Sequence, residues 1–162
     1  MVATFPQAPW LALIHTATTY TLSMNWVVQQ LRQATQFGRQ PRYLFRDNDG
    51  IYGHGVSAFL KPCGIREVRA AYRSPWQNGT VERLVGSVRR ELLDHVIVFN
   101  EEHLRRLLRE YVDYYNDERV HTSISDAPAG RPVKSRPSEC AKVVGLPRVG
   151  GLHHRYCWHE AA

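Results

Sequence analysis

Hydrophobic residues along the chain change their spacing several times, and each spacing indicates an element of secondary structure. Near the start, apolar residues recur at intervals of three and four, the pattern of one face of a helix. They are Met24, Val27, Val28, Leu31 and Ala34. Because Ser23 and Gly38 are residue types that begin and end helices, we predict a helix over 24–37.

Three more helices are predicted further along. The first is short, over 56–61, and is ended by Pro62 and Gly64. The second, over 80–96, has an apolar face made of Val81, Leu84, Val85, Val88 and Leu92. The third begins near Asn100 and has the clearest apolar stripe in the chain, made of Leu104, Leu107, Leu108, Tyr111, Val112 and Tyr115.

Strands are predicted between these helices, over 9–22, 42–46 and 65–71, where apolar and β-branched residues are frequent. Residues 74–79 predict a loop, and the prolines and glycines beyond Asp126 predict an extended tail. The sequence therefore predicts a mixed α/β layer structure over residues 1–126, in which helices partly cover a mixed sheet, followed by a Pro/Gly-rich basic tail over 127–162.

Charge is distributed unevenly around a net value of +6. Residues 1–46 contain four arginines and no acidic residue, residues 47–126 contain 11 basic and 13 acidic residues, and residues 127–162 contain six and two. Basic ends around a slightly acidic middle fit a protein that holds cations at one site and phosphate around it. The same distribution also fits ordinary solvated helices, so charge alone does not select nucleic acid as the partner.

Composition also bears on the compartment. Three cysteines without a paired motif, and an amino terminus without a signal pattern, predict a reducing, intracellular setting. The apolar run over 10–14 is far shorter than the roughly 20 residues that span a bilayer, so no membrane role is expected. The tail has zinc-type ligands at unusual spacing, namely His153, His154, Cys157 and His159. A basic tail that contacts DNA or a partner is the favoured interpretation there.

Glu82 lies at the border between two faces of its predicted helix. At about 100° per residue, the apolar face is centred about 110° to one side, and Arg83 and Arg90 lie about 80–100° to the other, with Arg89 nearly in line two turns below. A carboxylate at this border reaches inward while the arginines bind a polyanion outside. A lone glutamate here is more often an ordinary surface residue, so its interpretation depends on the surrounding sequence.

Asp47 ends the predicted strand 42–46, and 34 residues separate it from Glu82. Three segments occur in order around them: 44–52 (LFRDNDGIY), 74–83 (SPWQNGTVER) and 114–122 (YYNDERVHT). Over residues 15–126 the chain resembles the catalytic core of DDE-type integrases and transposases. The resemblance implies a ribonuclease-H-like three-layer fold and metal-dependent polynucleotidyl transfer in DNA integration or transposition.

By this resemblance, Asp47 and Glu82 are catalytic ligands of Mg²⁺ or Mn²⁺, hard cations that prefer oxygen. Two such ions repel each other, so the site needs several carboxylates. The implied partners are DNA, at the element ends and the target, and further subunits in a homo-oligomer or a mixed oligomer with a complete transposase. The implied location is the prokaryotic cytoplasm, at the nucleoid.

The chain departs from the family pattern before Asp47, where the sequence has no acidic residue. In the family the first catalytic aspartate lies on an opening strand, so we expect a core that lacks this strand and does not cleave or join DNA alone. Asp49 is a poor substitute, because the absent ligand belongs to a neighbouring strand. A second polypeptide that donates an edge strand is another source.

DNA contacts are expected around Glu82. In one interpretation Trp76 stacks on a base and Gln77 or Asn78 contacts DNA; in the other, Pro75 and Trp76 pack against the helix and Asn78 caps it, and both stay open. Four arginines are expected to contact phosphates: Arg73, Arg83, Arg89 and Arg90. His121 is expected to fix the end of the last helix against the sheet.

Two other function classes stay open. A non-catalytic DNA-binding or subunit-interaction remnant of a mobile-element transposase would act by mixed assembly with a complete enzyme. An unrelated α/β domain with accidental motifs would place Asp47 and Glu82 far apart, whereas a core of this family brings both carboxylates to one cation.

Overall fold

The computed structural model describes residues 12–36, 41–72, 74–124, 127–128, 130 and 134–160. In chain order, its helices are α1 (Met24–Ala34), α2 (His54–Leu60), α3 (Gly79–Glu91) and α4 (Glu101–Asp117). Its strands are β1 (Tyr43–Arg46), β2 (Arg66–Arg69), β3 (Val120–His121), β4 (Ala127–Pro128), β5 (Lys142–Arg148) and β6 (His153–His159). These elements form a mixed α/β structure, which confirms the predicted class.

The strands of the described residues pair in three small sheets. β1 and β2 are parallel, whereas β3 pairs with β4 and β5 with β6 in antiparallel arrangement. The chain divides into two compact units, Met1–Gly86 and Ser87–Ala162, and α3 spans the boundary. The division at residue 126 stays a prediction.

The first unit is built around the parallel pair. The chain crosses from β1 to β2 through α2, the connection that parallel strands require. The side-chain oxygen of Ser23 accepts the backbone N–H of Trp26 at 3.2 Å, which confirms Ser23 as the N-cap of α1. The core of this unit consists of Val27, Leu31, Leu44, Val56, Leu60 and Ile65.

The second unit is built around α4. The Asn100 side chain accepts the N–H of His103 at 2.8 Å and caps this helix. The buried residues of its apolar stripe are Leu107, Tyr111 and Tyr115. None of the helices in the described ranges is long and apolar enough to cross a membrane.

The predicted strand over 9–22 is wrong where the structure describes it. Residues 9–11 lie outside the described residues, Ala12 makes an isolated bridge, and residues 13–22 form neither helix nor strand. Thr19 gives a physical reason, because its hydroxyl oxygen accepts the N–H of Thr21 at 3.1 Å and its O–H donates to the Thr21 carbonyl at 3.0 Å. Such local side-chain bonds compete with strand pairing.

Two helix ends and one loop also differ from the predictions. α1 ends at Ala34 rather than at residue 37, and Gly38 lies outside the described residues. α3 ends at Glu91, and a short 3₁₀ helix, Leu93–His95, follows it. The predicted loop contains another 3₁₀ helix, Pro75–Asn78, that runs directly into α3.

The extended tail is also corrected by the structure, because β5 and β6 form a hairpin. Its turn needs left-handed backbone conformations, and Gly150 (φ 65°) and Gly151 (φ 94°) supply two of them beside Val149 (φ 52°). Pro147 lies in a strand of a two-stranded ribbon, where a missing N–H is tolerated. Gly150, Gly151 and Pro147 therefore belong to a hairpin and not to an extended tail.

Candidate active site

The carboxyl end of β1 places Asp47 at the surface. Side chains alternate along a strand, so Leu44 and Arg46 point into the unit and are buried. Asp47 follows directly and is exposed. The Arg46 guanidinium donates through Nη1 to the Asp47 carbonyl oxygen at 2.9 Å, and this hydrogen bond helps to fix the backbone of Asp47.

Beneath Asp47 lies an ion-pair network that the sequence analysis missed. Arg46 Nε donates to Glu67 Oε1 at 2.5 Å, and the Arg46 side chain is only 5% exposed. The second oxygen of Glu67 accepts from the Ser57 hydroxyl at 2.8 Å and from Arg69 at 3.2 Å. Burial alone would raise the pKa of Glu67, but hydrogen bonds from Arg69, Ser57 and Arg46 outweigh it and lower this pKa to about 2.

The turn after Asp47 gives Asp49 a structural partner. The Asp49 carboxylate accepts the N–H of Ile51 at 2.9 Å and caps the 3₁₀ helix Gly50–Tyr52. Asp47 in turn accepts the N–H of Asp49 at 3.3 Å. Burial first, and then the charges of Asp47 and Asp49, raise the pKa of the Tyr52 hydroxyl. The charges of the two acidic residues therefore both act on one half-buried phenol near the strand end.

The segment before α3 presents an aromatic ring to solvent. Gln77 accepts the N–H of Ala71 through its side-chain oxygen at 2.7 Å, which ties the segment to the end of β2. Trp76 is 72% exposed, and Asn78 is half-buried. Glu82 follows in the first turn of α3 and is exposed.

The basic residues of α3 are also exposed. Arg83, Arg89 and Arg90 all reach solvent. Arg89 has one acidic neighbour, because its Nε lies 3.4 Å from Asp94 Oδ1, and both side chains of this pair are at least half exposed. Such a pair is weak and open to competition by phosphate. Arg73 lies outside the described residues.

A third metal ligand is missing from the site in the described part of the chain. Within the described ranges, no three His, Cys, Asp or Glu side chains form a group that could hold a metal ion. Asp47 and Glu82 by themselves do not fit a two-metal centre, which needs several carboxylates. Their convergence on one cation stays a prediction.

The described residues of the histidine-rich tail also serve packing. His153 donates through Nε2 to the carbonyl oxygen of Glu91 at 2.8 Å and stacks on Tyr114, with ring centroids 4.3 Å apart. Cys157 is a free thiol. His121 lies in β3 and donates through Nε2 to the carbonyl oxygen of Tyr115 at 3.0 Å, so it ties this strand to the end of α4.

Comparison with known proteins finds a family model that matches part of this chain. Residues 63–128 match the model of the integrase core domain. The predicted integrase-type catalytic core is thereby confirmed. The matched segment includes Glu82 and all of α3, whereas Asp47 lies outside it.

Among solved structures, this chain is similar to a chain in a cryo-EM structure of the simian T-cell lymphotropic virus intasome in complex with PP2A regulatory subunit B56 gamma. The two share 18% sequence identity with a TM-score of 0.54, and the match covers 87% of this chain. It covers 54% of the intasome chain, so this chain spans about half of that length. The likeness is one of fold and is compatible with a ribonuclease-H-like architecture. No curated protein sequence matches this chain.

A second network that the sequence did not predict joins the carboxyl end of α3 to Tyr111 and Arg119. Glu91 accepts from Arg119 Nη2 at 2.7 Å and from the Tyr111 hydroxyl at 2.9 Å. Burial favours a higher pKa for Glu91, but the hydrogen bonds from Arg119 and Tyr111 outweigh it and lower this pKa. Burial and the bond to Glu91 raise the pKa of Tyr111. The sequence signal was Tyr111, a polar group in the middle of an apolar stripe.

Proposed function

We propose that this chain is a DNA-binding integrase-like core from the lineage of mobile-element transposases, which carry out DNA integration by polynucleotidyl transfer. The match of residues 63–128 to the integrase core domain supports this proposal most directly. Asp47 and Glu82 then serve as two of the acidic ligands for Mg²⁺ or Mn²⁺.

We propose further that these 162 residues do not cleave or join DNA alone. Phosphoryl transfer with two divalent ions requires enough carboxylates to hold both ions against their mutual repulsion. The described residues supply no group of three such ligands, and the sequence has no acidic residue before Asp47. A carboxylate from outside these residues, in the same or another polypeptide, would complete the site.

DNA binding follows from the exposed basic face of α3. Arg83 and Arg90 are seven residues apart, so they lie almost in line and about 10 Å apart along the helix axis. This spacing suits contacts to phosphates on one strand of a duplex. Trp76, exposed beside the same helix, is placed to stack on a base.

Salt-dependent binding tests the DNA proposal. Affinity for a labelled duplex is measured between about 50 and 200 mM salt for the wild type and for the double variant Arg89→Gln, Arg90→Gln. Two lost phosphate contacts are expected to reduce the slope of log affinity against log salt by about 1.8. The control is Arg106→Gln, Arg109→Gln, which removes the same charge from exposed positions of α4. Equal slopes for the two variants would mean that net charge, not α3, binds DNA.

Metal-dependent nicking tests the proposal on activity. The chain is incubated with Mn²⁺ and a duplex that carries element ends, and no nicked product is expected. Nicking by the wild type that Glu82→Gln abolishes would show that these residues do assemble a working centre.

A second candidate function is subunit interaction without catalysis. The outer face of the parallel β1–β2 pair exposes Tyr43, Phe45 and Val68, although parallel strands are usually covered on both faces. This face favours assembly with another polypeptide. Sedimentation velocity is expected to show association that Phe45→Ser weakens and Val85→Ser, an exposed valine of α3, does not. A wild type that stays monomeric at high concentration excludes self-association through this face.

A further inference from the structure

The two faces of the β5–β6 hairpin carry different residues and make different contacts. Strand alternation places His153, Arg155 and Cys157 on one face of β6 and His154, Tyr156 and Trp158 on the other. The first set forms the inner face and the second set forms the outer face. The inner face is fixed to the rest of the second unit by charge and stacking.

On the inner face, two arginines share one carboxylate. Arg148 Nε donates to Glu118 Oε2 at 2.6 Å, and Arg155 Nη1 lies 3.7 Å from Glu118 Oε1. His153 adds the bond to the Glu91 carbonyl and the stack on Tyr114. The two arginines of the inner face are therefore already engaged with protein groups.

The outer face is a row of aromatic rings. Residues 154, 156 and 158 follow one another at every second position of β6, and Tyr156 is 71% exposed. Gly145 lies opposite Tyr156 in the ladder. A Cβ at Gly145 would lie 3.4 Å from the Tyr156 ring and 3.6 Å from the His154 ring. Because Gly145 has no side chain, both rings lie close to β5 at this position, with centroids 6.3 Å apart and planes tilted by 30°.

Cations surround the end of this row. The Arg136 guanidinium lies 5.6 Å from the centroid of the Trp158 ring, and the Trp158 Nε1–H donates to the Lys134 carbonyl oxygen at 3.1 Å. Lys134 is exposed, whereas Lys142, which is also exposed, pairs with His159 in the ladder and therefore lies on the inner face. In the described part of the chain neither lysine makes an ion pair. The segment 134–160 has five basic and two acidic residues, and the acidic ones lie outside both strands.

We propose that the outer face binds single-stranded nucleic acid, with unpaired bases stacked on Tyr156 and its neighbours and phosphates near Lys134 and Arg136. Aromatic rings bind base faces, which a duplex hides and a single strand presents. The phosphates of a nucleic-acid strand are anionic, so this basic surface also attracts them. The proposal goes beyond the function of α3 and shares with it only nucleic acid as the ligand.

Substitution of Tyr156 tests this surface directly. The whole chain is titrated into labelled oligothymidylate of roughly 20 nucleotides, longer than the about 4–16 nucleotides that single-strand modules cover. Tyr156→Ala is expected to weaken binding by about fivefold or more, the loss of one stacked base. Tyr156→Phe keeps the ring and is expected to bind like the wild type. Tyr20→Ala, which removes an equally exposed tyrosine from the first unit, is the matched control.

Photo-crosslinking adds a positional readout. Oligonucleotides that contain 5-iodouracil are irradiated with the wild type, and the crosslinked peptide is expected to include residues of β6. Unchanged binding by Tyr156→Ala, or crosslinks only outside 134–160, would overturn the proposal. If Tyr156→Ala changes the oligomeric state and leaves single-strand affinity intact, the face is an interface between copies, and the proposal is also overturned.

The two proposals fail separately. If the duplex binds with the expected dependence on Arg89 and Arg90 while Tyr156→Ala has no effect on oligothymidylate, only the hairpin inference is wrong. If oligothymidylate binds through Tyr156 while the duplex does not depend on α3, the hairpin inference stands and the α3 interface is wrong.

Discussion

Arg46 is the residue on which the candidate active site rests. It follows Phe45 and precedes Asp47, and the alternation of β1 points it inward. A guanidinium in this position must be paired, since an isolated buried charge is very costly. Glu67 on β2 provides the partner, and Arg46 also lies 5.3 Å from the centroid of the Tyr52 ring. The position of Asp47 therefore depends on the Arg46–Glu67 ion pair beneath it.

Neutralising Glu67 is expected to destabilise the fold. Glu67→Gln keeps the shape of the side chain but leaves the Arg46 charge buried without its carboxylate, so we expect a loss of about 3 kcal/mol in the free energy of unfolding. Urea denaturation measures this loss. Glu82→Gln is the matched control, because the same change at an exposed position is expected to stay within about 0.5 kcal/mol. Equal stability of the two variants would contradict a structural role for the pair.

The same pair predicts how stability depends on pH. The folded-state pKa of Glu67 is about 2, below its ordinary value of 4.5. Above pH 4.5 the stabilisation is therefore complete, and it is lost as the pH falls from 4.5 towards 2, because the unfolded chain takes up the proton first. Unfolding free energies from neutral pH down to about pH 2 are expected to show the gap between wild type and Glu67→Gln narrowing below pH 4.5. A difference in unfolding free energy that stays constant over this pH range would contradict a stabilising role for the ionised Glu67 carboxylate.

Some residues of the site could be predicted from sequence and others could not. Asp47 and Glu82 are predicted as site residues because their spacing and flanking segments are typical of one family, and their role stays a prediction. Arg46 and Glu67 lie 21 residues apart with no motif between them, and only the strand register brings them together. Alternation alone would have shown that Arg46 needs a partner, without showing which one.

At the scale of elements, α3 and α4 are held together by polar groups inside an apolar setting. Tyr111 is fully buried, and its hydroxyl donates to Glu91 at the end of α3. The guanidinium of Arg119 lies 5.4 Å from the centroid of the Tyr115 ring and donates to the same carboxylate. Glu91 is the last residue of α3, the helix that carries Glu82 in its first turn. This network therefore anchors the carboxyl end of α3 to α4 through Tyr111.

Removing one hydroxyl tests this anchor. Tyr111→Phe leaves the ring in place and deletes a hydrogen bond to a charged group, so we expect a loss of about 1.5 kcal/mol in unfolding free energy. Tyr156→Phe, which removes a hydroxyl at an exposed position, is expected to have almost no effect. Thermal or urea unfolding of both variants provides the comparison. A neutral Tyr111→Phe would mean that the bond to Glu91 contributes nothing to stability.

The turn of the hairpin offers a second test at this scale. Gly151 has φ 94°, a conformation that a Cβ strains. Gly151→Ala is therefore expected to cost about 1–3 kcal/mol, measured by urea denaturation. Gly50→Ala is the control, because Gly50 has ordinary φ and open space around it, and its effect is expected to stay within about 0.5–1 kcal/mol. Similar losses at both sites would contradict a constrained turn.

The success of prediction differed between helices and strands. The helices were predicted because an amphipathic face repeats over several turns, as in α4. The threonine-rich run was taken for a strand because β-branched residues favour one, but the Thr19 hydroxyl bonds locally instead. The hairpin was missed because its register depends on a glycine turn and on contacts of His153 and Arg148 with residues far away in sequence.

At the scale of the whole chain, basic and acidic regions have separate tasks. The acidic residues of 47–126 include some that pair with arginines, as Glu67 does with the buried Arg46 and Glu91 with the half-buried Arg119. Asp47 and Glu82 are exposed. Exposed basic residues lie on α3 and around the hairpin, and also on α4.

Binding of Mn²⁺ tests whether Asp47 and Glu82 converge. If both carboxylates hold the same ion, Asp47→Asn and Glu82→Gln each weaken binding, and the double variant is hardly weaker than either single one, a coupling of about 1–3 kcal/mol. Independent sites would give additive losses instead. Calorimetry or Mn²⁺ paramagnetic resonance measures the affinities, and Asp94→Asn, an exposed acid near the end of α3, is the control. Additive losses, or no dependence on Glu82, would remove the ground for a shared cation and leave DNA binding as the property that the fold supports.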